Sequence, residues 1–228
     1  GKRGHDSGWT FMNYGYLSSD FKNMELSSDD EKDRMFINLY DYVASQIPIS
    51  ELSVLEVGSG RGGGASFVAR YHNPKSIVGL DFSNTATSLS TKLHKNVKNL
   101  SFKNGDAEKL PFPDNSFDVI LNVESSHCYG NMKKFIAEVY RVLRPSGKFS
   151  WADLRASEAV ITSTSILKHL AMEAPRLSSS NRSGSGATLT DPCCLNPVAW
   201  PVSASSPANN SLVYWAVSYT HLPLPTSD

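Results

Sequence analysis

Residues 54–71, VLEVGSGRGGGASFVARY, contain five glycines within the seven positions 58–64. An apolar run precedes these glycines and a helix-like pattern follows them, so the stretch predicts a strand, a tight turn and a helix. In an open parallel sheet, a glycine-rich turn of this kind lies beyond the carboxyl end of its strand and lets backbone amides approach a ligand closely. The stretch therefore predicts a binding loop lined by Gly58, Gly60 and Gly62, rather than a bare turn.

Short apolar runs alternate with helical patterns along the chain after this loop. Such alternation is typical of strand–helix–strand units, so it predicts an α/β fold with a doubly wound parallel sheet and helices on both faces. The predicted strands are 53–57, 76–80, 100–103, 117–123 and 148–152, and the predicted helices between them are 64–71, 85–95 and 132–143.

A further amphipathic helix is predicted ahead of the first strand. Met35, Leu39 and Val43 recur at four-residue spacing, which places them on one face of a helix. Ser28 and Glu31 have the spacing of a capping box, so we expect the helix to begin near Ser28.

The composition is typical of a globular chain with a small partner. Of the 228 residues, 40% are hydrophobic, and 22 Lys and Arg balance 22 Asp and Glu. The balanced charge argues against a nucleic-acid partner. The three cysteines, Cys128 and the adjacent Cys193 and Cys194, form neither a disulfide framework nor a metal-ligand pattern. No apolar run approaches the length of a transmembrane helix, so we expect a cytoplasmic protein without a membrane span.

The glycine loop alone does not decide its ligand. Gly58, Gly60 and Gly63 also satisfy the dinucleotide fingerprint, and Asp81 lies near the expected distance for a ribose contact. Glu56, two residues before Gly58, favours another ligand because its carboxylate would repel a pyrophosphate. S-adenosylmethionine carries an ammonium and a sulfonium group, so it suits Glu56 better than NAD does.

A second candidate contact follows the third predicted strand in NGDAEKLPFPDNSFDVIL. The carboxylate of Asp106 could accept a hydrogen bond from an adenine amino group there, while Ala107 packs against the ring. The later segment EVYRVLRPSGKF supplies a helix, a turn and a fifth strand.

Together these motifs resemble a known family. Residues 52–155 resemble class I S-adenosylmethionine-dependent methyltransferases with a type 11 domain, and GGGASFVAR, GDAEKLPFPDNSFDVILNVESSHCY and AEVYRVLRPSGKFSWADLR are similar to the phthiotriolone and phenolphthiotriolone dimycocerosate O-methyltransferases. The resemblance implies a Rossmann-like sheet, S-adenosylmethionine as cofactor, and methyl transfer to a hydroxyl of a small hydrophobic acceptor that is lipid-like or polyketide-like.

The resemblance also assigns site residues. The glycines would line the methionine part of the cofactor, Asp81 would bind the ribose diol, and Asp106 would hold adenine. Alternatives stay open: Asp81 could cap the next helix, Asp106 could be a loop carboxylate, and Glu56 could be a buried acid paired with Arg61. The residues implied to bind the cofactor are Glu56, Gly58, Gly60, Gly62, Asp81, Asp106, Ala107, Asn122 and Tyr14.

The catalytic candidates follow the fourth predicted strand, where the methyl acceptor is expected to enter beside Asn122. A hydroxyl acceptor has a proton to lose, and His127 is the best-placed general base because neutral imidazole is available near pH 7. Glu124 could orient that imidazole or serve as the base itself. The competing interpretation of His127 is a structural histidine.

The aromatic stretch GWTFMNYGYLSSDF precedes the first helix. In small-molecule methyltransferases a similar stretch covers the cofactor, so we expect residues 1–50 to form a helical cap or lid in which Tyr14 or Tyr16 reaches the cofactor. Ordinary packing of an N-terminal cap explains these aromatics nearly as well. Residues 51–155 would form the cofactor-binding core.

Residues 156–228 depart from the family pattern. The segment 177–228 carries only three charged residues and is rich in Ser and Pro, which predicts a region of low order. The final residues, VSYTHLPLPTSD, resemble a translated cloning linker. The family fold has seven strands and only five are visible here, so the sequence predicts a sheet truncated after the fifth strand and a chain that could be inactive. A genuine disordered tail is the alternative.

Two other functions compete with the methyltransferase prediction. A nicotinamide-dependent oxidoreductase shares the glycine loop but does not account for GDAEKLPF or RVLRPSGK. A truncated nucleotide-binding module without catalysis would keep the cofactor site and lack contacts with the acceptor.

Overall fold

One sheet of seven strands organises the computed structural model, which describes residues 9–17, 24–156, 202–203 and 212–219. Strands β1 to β5 pair in parallel, β7 is antiparallel to β5, and β6 is antiparallel to β7. The order across the sheet is β3-β2-β1-β4-β5-β7-β6. The strands are β1 (Ser53–Val57), β2 (Ser76–Asp81), β3 (Leu100–Asn104), β4 (Phe117–Val123), β5 (Leu143–Ala156), β6 (Val202–Ser203) and β7 (Leu212–Tyr219).

Helices flank both faces of the sheet, which confirms the predicted doubly wound parallel architecture. Helices α1 and α2 contribute to the core on one face, and α4 contributes to the core on the other. The helices are α1 (Arg34–Ala44), α2 (Gly63–Tyr71), α3 (Asn84–Leu93) and α4 (Met132–Val142), with short 3-10 helices at Glu31–Asp33 and Ser126–Cys128.

The central strands direct alternate side chains into these two cores. In β1, Val54 packs with the α1 and α2 side, whereas Leu55 and Val57 pack with the α4 side. In β4, Leu121 packs with the α1 and α2 side, and Ile120 packs with the α4 side. Both strands are buried on both faces, which explains why their sequences are mainly apolar and why their predicted bounds agree with the structure.

The predicted start of the first helix is wrong. The chain forms a 3-10 turn at Glu31–Asp33 before α1 begins at Arg34. The capping box is not formed, because the carboxylate of Glu31 binds the Arg34 guanidinium instead. Met35, predicted to face the core, is 38% exposed, whereas Ile37 and Tyr40 are buried. Leu39 and Val43 of the predicted stripe are buried as expected, so only its first position, Met35, was wrong.

The sheet does not stop after the fifth strand as the sequence predicted. Strands β6 and β7 continue it, and β7 pairs with β5 over Phe149–Ala156. The linker-like end begins within β7, at Val217. Residues 157–201, 204–211 and 220–228, with Cys193 and Cys194, lie outside the described residues.

Residues 9–17, named here the N-terminal strap, cross the start of α2. Thr10 accepts a hydrogen bond from the Gly63 amide at 3.2 Å, and Tyr16 donates its amide to the Met35 carbonyl at 2.9 Å. The ring of Phe11 is buried in the same core as α1. The described part of residues 1–50 thus shares the core of the sheet, and the division into a cap and a core remains a prediction.

The two-sided core makes central side chains costly to truncate. We expect Leu121→Ala to lower the free energy of unfolding by about 2–5 kcal/mol, because the site is fully enclosed in β4 and leaves a cavity. The matched control, Leu93→Ala at a leucine that is 45% exposed, should change it by about 0.5 kcal/mol or less. Urea unfolding followed by circular dichroism measures both, and equal losses would contradict the assignment of the core.

Candidate active site

A cavity of about 690 Å³ opens at the carboxyl ends of the central strands. The direction in which successive strands are added reverses between β1 and β4. The chain adds β2 and β3 on one side of β1, and then β4 and β5 on the other side. Ligands of open α/β sheets bind at such a switch point, and the volume is in the range of small-molecule sites. The cavity is lined by Thr10, 12–14, Tyr40, 58–60, Gly64, 80–82, 105–108, 123–125 and 127–130.

The glycine loop forms one wall of this cavity. Gly58 and Gly60 both adopt the left-handed backbone region, with φ of +80° and +53°. A Cβ on Gly58 would lie 2.2 Å from Oγ of Ser125, so the loop meets the end of β4 only because this residue has no side chain. The amides of Gly58 and Ser59 donate to the Leu80 carbonyl at 2.8 and 2.9 Å, which fixes the loop to the end of β2.

Gly62 lies outside the cavity lining. It is the N-cap residue of α2, and a Cβ there would meet the rings of Phe102 and His94. Its Cα hydrogen side faces these two rings, so the structure does not bring Gly62 to the cavity where its predicted cofactor contact would be made.

Asp81 lines the cavity at the end of β2. Its Oδ2 accepts from the Gly60 amide and its Oδ1 from the Ser83 amide, both at 2.8 Å. The N-cap of α3 is Ser83, whose Oγ accepts from the Ala86 amide at 3.2 Å. Asp81 is therefore not the helix cap and instead shapes the glycine loop.

Asp106 and Ala107 line the cavity from the loop after β3. The Asp106 carboxylate accepts from the Glu108 amide at 2.8 Å, and the Glu108 carboxylate accepts from the Asn131 amide at 2.7 Å. These hydrogen bonds connect the loop after β3 to the start of α4. Asp106 and Ala107, which are predicted to bind adenine, therefore lie on a part of the wall that hydrogen bonds hold in place.

Glu56 is buried behind the cavity wall and does not line it. The hydroxyl of Tyr40, which does line the cavity, donates to Oε1 of Glu56 at 2.8 Å, and Oε2 has no hydrogen-bond partner among the described residues. Burial raises the pKa of Glu56 to about 7, although the Tyr40 hydrogen bond lowers it. Arg61 is not its partner, because that guanidinium donates to the Trp9 carbonyl and lies over the Trp9 ring.

Asn122 is also fully buried and does not line the cavity. Its Nδ2 lies 2.9 Å from the Val57 carbonyl, 2.8 Å from Oγ of Ser125 and 3.0 Å from the hydroxyl of Tyr129. Ser125 and Tyr129 are cavity residues, so Asn122 holds this part of the wall from behind rather than facing a ligand.

Glu124 joins the end of β4 to the N-terminal strap. Its Oε2 accepts from the Tyr14 amide at 2.7 Å, and its own amide donates to the Ala152 carbonyl at 2.7 Å. The backbone of Glu124 has φ of +47°, an uncommon conformation for a non-glycine residue, which turns the chain sharply after the strand. Tyr14 and Glu124 both line the cavity, in agreement with a strap that covers it.

His127 reaches the cavity from the 3-10 turn after β4 and is held by a buried acid. Its Nδ1 lies 2.6 Å from Oδ1 of Asp153, whose side chain is fully buried. A carboxylate only accepts hydrogen bonds, so an ionised Asp153 places the hydrogen on Nδ1 and leaves Nε2 as an acceptor. The imidazole is thus bonded by Asp153, whereas Oε2 of Glu124 accepts a hydrogen bond from the strap.

Residues 55–151 match the methyltransferase domain family. The phthiotriol/phenolphthiotriol dimycocerosates methyltransferase of Mycobacterium tuberculosis is 46% identical over 150 residues, which cover 66% of this chain and 55% of the relative. The fatty-acid O-methyltransferase of Mycolicibacterium smegmatis is 44% identical over 154 residues, which cover 68% of this chain and 56% of the relative. The chain thus spans about half the length of these curated relatives.

Solved structures share the fold of this methyltransferase domain. The cyclase SpnF superposes with a TM-score of 0.54 at 26% identity, covering 63% of this chain and 51% of that one. A structure from Galdieria sulphuraria superposes with a TM-score of 0.58 at 16% identity, covering 82% of this chain and 87% of that one. Because the second structure is only 16% identical, its similarity supports the fold alone.

The methyltransferase domain implies use of S-adenosylmethionine, and the cavity fits that cofactor. Four of its described lining residues are acidic and none is Lys or Arg, so the wall suits a ligand with net positive charge. Oγ of Ser59 and Oδ1 of Asn13, in two of the lining residues, are buried without a hydrogen-bond partner among the described residues, which leaves them free to bind a polar ligand. The acidic residues are Asp81, Asp106, Glu108 and Glu124.

Two further observations limit what the domain contains. Within residues 9–17, 24–156, 202–203 and 212–219, no group of three His, Cys, Asp or Glu side chains is arranged to hold a metal ion. The described part of the chain also has no helix long and apolar enough to cross a membrane.

Sequence reasoning missed two residues that support the site, Asp153 and Tyr40. Asp153 follows the predicted fifth strand directly, so the rule that selected Asp81 and Asp106 after their strands would also have selected it. Tyr40 carries no comparable signal, because only the packing of α1 on the sheet brings its hydroxyl to Glu56.

The buried carboxyl of Glu56 should make stability depend on pH. Its folded pKa of about 7 lies above the unfolded value of 4.5, so its contribution is largest below pH 4.5 and falls as the pH rises to 7. The fall amounts to about 3 kcal/mol. We expect Glu56→Gln to lack this fall, as measured by urea unfolding at pH 4.5 and pH 7.5.

The matched control for this measurement is Glu25→Gln, at an exposed glutamate, which should keep the wild-type difference between the two pH values. A Glu56→Gln variant with the same pH dependence as the wild type would show that Glu56 is already ionised across this range.

Proposed function

We propose that this chain binds S-adenosylmethionine and transfers its methyl group to a hydroxyl of a small hydrophobic acceptor. The observation that carries the proposal is the His127–Asp153 pair inside an acidic cavity. An acidic wall suits a cationic cofactor, and a hydroxyl acceptor needs a base for its proton. Both requirements meet in one cavity.

The residues proposed to hold the cofactor lie on three adjacent strand ends. Gly58 and Gly60 would face its methionine part, Asp81 its ribose and Asp106 with Ala107 its adenine. The bound cofactor supplies an electrophilic methyl group on a sulfonium. Because the methyl group is already activated, the main task of the protein is to align the acceptor and exclude water.

The same wall argues against the nicotinamide alternative. A dinucleotide would bring a pyrophosphate into a cavity whose described lining has four acidic residues and no Lys or Arg, which is unfavourable for an anion. A binding module without catalysis remains the second candidate, since cofactor binding would not require His127.

Calorimetric titration separates the cofactor classes. We expect S-adenosylhomocysteine to bind with micromolar affinity and NAD to show no measurable binding. Asp81→Asn should weaken S-adenosylhomocysteine binding by about 10-fold or more, because the loss of one charged hydrogen-bond acceptor costs more than 1.4 kcal/mol. The control Asp29→Asn, at an exposed aspartate outside the cavity, should bind like the wild type. Preferential NAD binding would overturn the proposal.

An apolar acceptor is supported by the side chains around the cavity. Met12, Tyr14 and Phe82 line it while exposing 59%, 72% and 79% of their surface. Large exposed hydrophobic side chains grouped at a cavity mark a place where apolar material binds. The printed names of both curated relatives also refer to lipid-related molecules, which agrees with a lipid-like acceptor here.

In the proposed reaction, His127 would accept the hydroxyl proton through Nε2 as the acceptor oxygen takes the methyl group, whose bond to sulfur would break to leave S-adenosylhomocysteine. Asp153 keeps Nδ1 protonated and stabilises the imidazolium that forms. Glu124 keeps the strap closed over the cavity through the Tyr14 amide. A cytoplasmic location and the absence of a nucleic-acid partner remain predictions.

Removal of the imidazole tests the catalytic proposal. We expect His127→Gln to lower kcat for methyl transfer to cetyl alcohol by about 100- to 10,000-fold. S-adenosylhomocysteine affinity should stay within about 2-fold, because the imidazole serves the acceptor rather than the cofactor. Transfer of a labelled methyl group measures kcat, and His94→Gln, at a histidine outside the cavity lining, is the control. Undiminished transfer by His127→Gln would exclude the base role.

A further inference from the structure

Asp153 can serve His127 only if it accepts the Nδ1 hydrogen. A protonated Asp153 would instead donate to Nδ1, which would place the imidazole hydrogen on Nε2 and remove the acceptor that faces the cavity. The hydrogen bonds to the second oxygen of Asp153 therefore decide which tautomer of His127 the site presents.

That second oxygen, Oδ2, is hydrogen-bonded to Oγ of Ser126. Ser126 also lies 2.9 Å from Nε1 of Trp151, in a buried position between β5 and the turn after β4. Trp151 and Asp153 are two residues apart on β5, so their side chains leave the same face of the strand and flank Ser126.

The indole N–H of Trp151 can only donate. Oγ of Ser126 must therefore accept from Trp151, and its single O–H is left to donate to Asp153. A donated hydrogen bond favours the ionised carboxylate, so Oδ1 accepts from Nδ1 of His127. An ionised Asp153 therefore accepts hydrogen bonds from both Ser126 and His127.

We propose that Ser126 and Trp151 are positioning residues that set the tautomer of His127 through Asp153. This inference rests on the proposed function, since it matters for catalysis only if His127 is the base. Deletion of the Ser126 hydroxyl removes a donor from a buried carboxylate, so Asp153 gains proton affinity and the Nδ1–H tautomer loses its advantage.

Other titratable groups share the cavity with His127 and bear on its protonation. Glu124 lies at the end of β4, Tyr14 on the strap, and Cys128 and Tyr129 follow His127 directly. Acidic groups face it from the two remaining walls, Asp81 from β2 and Asp106 with Glu108 from the loop after β3. Substitution of Ser126 leaves all of these side chains in place. A difference in the His127 tautomer between the variants is therefore attributed to the hydrogen bonds that link Trp151, Ser126 and Asp153.

The test reads the tautomer directly, without substrate. In the full chain labelled with 15N-histidine, two-dimensional NMR distinguishes a protonated ring nitrogen from an unprotonated one, and His127→Gln identifies the His127 signals. We expect the Nδ1–H tautomer in the wild type. Ser126→Ala should show a mixture with Nε2–H and a His127 titration midpoint at higher pH, and Trp151→Phe should shift both in the same direction by less.

Kinetics supply the second readout. We expect Ser126→Ala to lower kcat/KM for methyl transfer to cetyl alcohol at pH 7 by about 10- to 100-fold, which corresponds to the loss of one hydrogen bond to a charged group. The value of kcat/KM should recover in part at higher pH. Ser126→Thr, which keeps the hydroxyl, should restore the wild-type profile. The control is Ser150→Ala, at another buried serine, whose hydroxyl donates to the Val43 carbonyl on the other face of β5.

The outcomes separate this inference from the proposed function. A Ser126→Ala variant that folds by circular dichroism and keeps the wild-type tautomer and midpoint overturns the inference, whatever its activity. A uniform loss of kcat at every pH with an unchanged tautomer assigns Ser126 a purely structural role and also overturns it. His127→Gln could transfer methyl groups normally while Ser126→Ala changes the His127 tautomer. That result would contradict the proposed function and support the inference that Ser126 sets the tautomer.

Discussion

The site depends on the close approach of the glycine loop to the end of β4. Ser125 lies against the backbone of Gly58, where any side chain would overlap its hydroxyl. The same Ser125 hydroxyl bonds to the Val57 carbonyl, Asn122 bonds to Ser125 from behind the wall, and Tyr129 bonds to it within the cavity lining. One missing side chain thus lets two adjacent parallel strands end at a shared wall, and the residues proposed to bind and react stand on either side of it.

Two buried acids at this edge of the sheet have different partners. Glu56 lies on the α1 side, where burial raises its pKa although hydrogen bonds from the Tyr40 hydroxyl and the Ala65 backbone lower it. Asp153 lies on the α4 side and is bonded by Ser126 and His127. Glu56 thus lies behind the cavity wall, whereas Asp153 lies beside the proposed base.

Much of the fold was open to prediction because its central strands are buried on both faces. Mainly apolar runs predicted β1 and β4, and the glycines predicted the turn between β1 and α2. Asp81 and Asp106 could be placed at the cavity because a polar residue that ends a parallel strand is carried to one edge of the sheet. The start of α1 and the two last strands could not be placed, because side-chain competition at Glu31 and long-range pairing with β5 decide them.

The linear sequence alone was enough to place the first five strands, the helices between them and the binding loop, and to indicate the methyltransferase domain that residues 55–151 match. These depend on local spacing and on the periodicity of burial, which a linear pattern carries. Only the tertiary structure decided that Gly62, Glu56 and Asn122 stand outside the cavity lining and that Asp153 rather than Glu124 holds His127. Which partner a side chain finds depends on strands that are distant in sequence, since β4 and β5 bring residues 26 positions apart within hydrogen-bond reach.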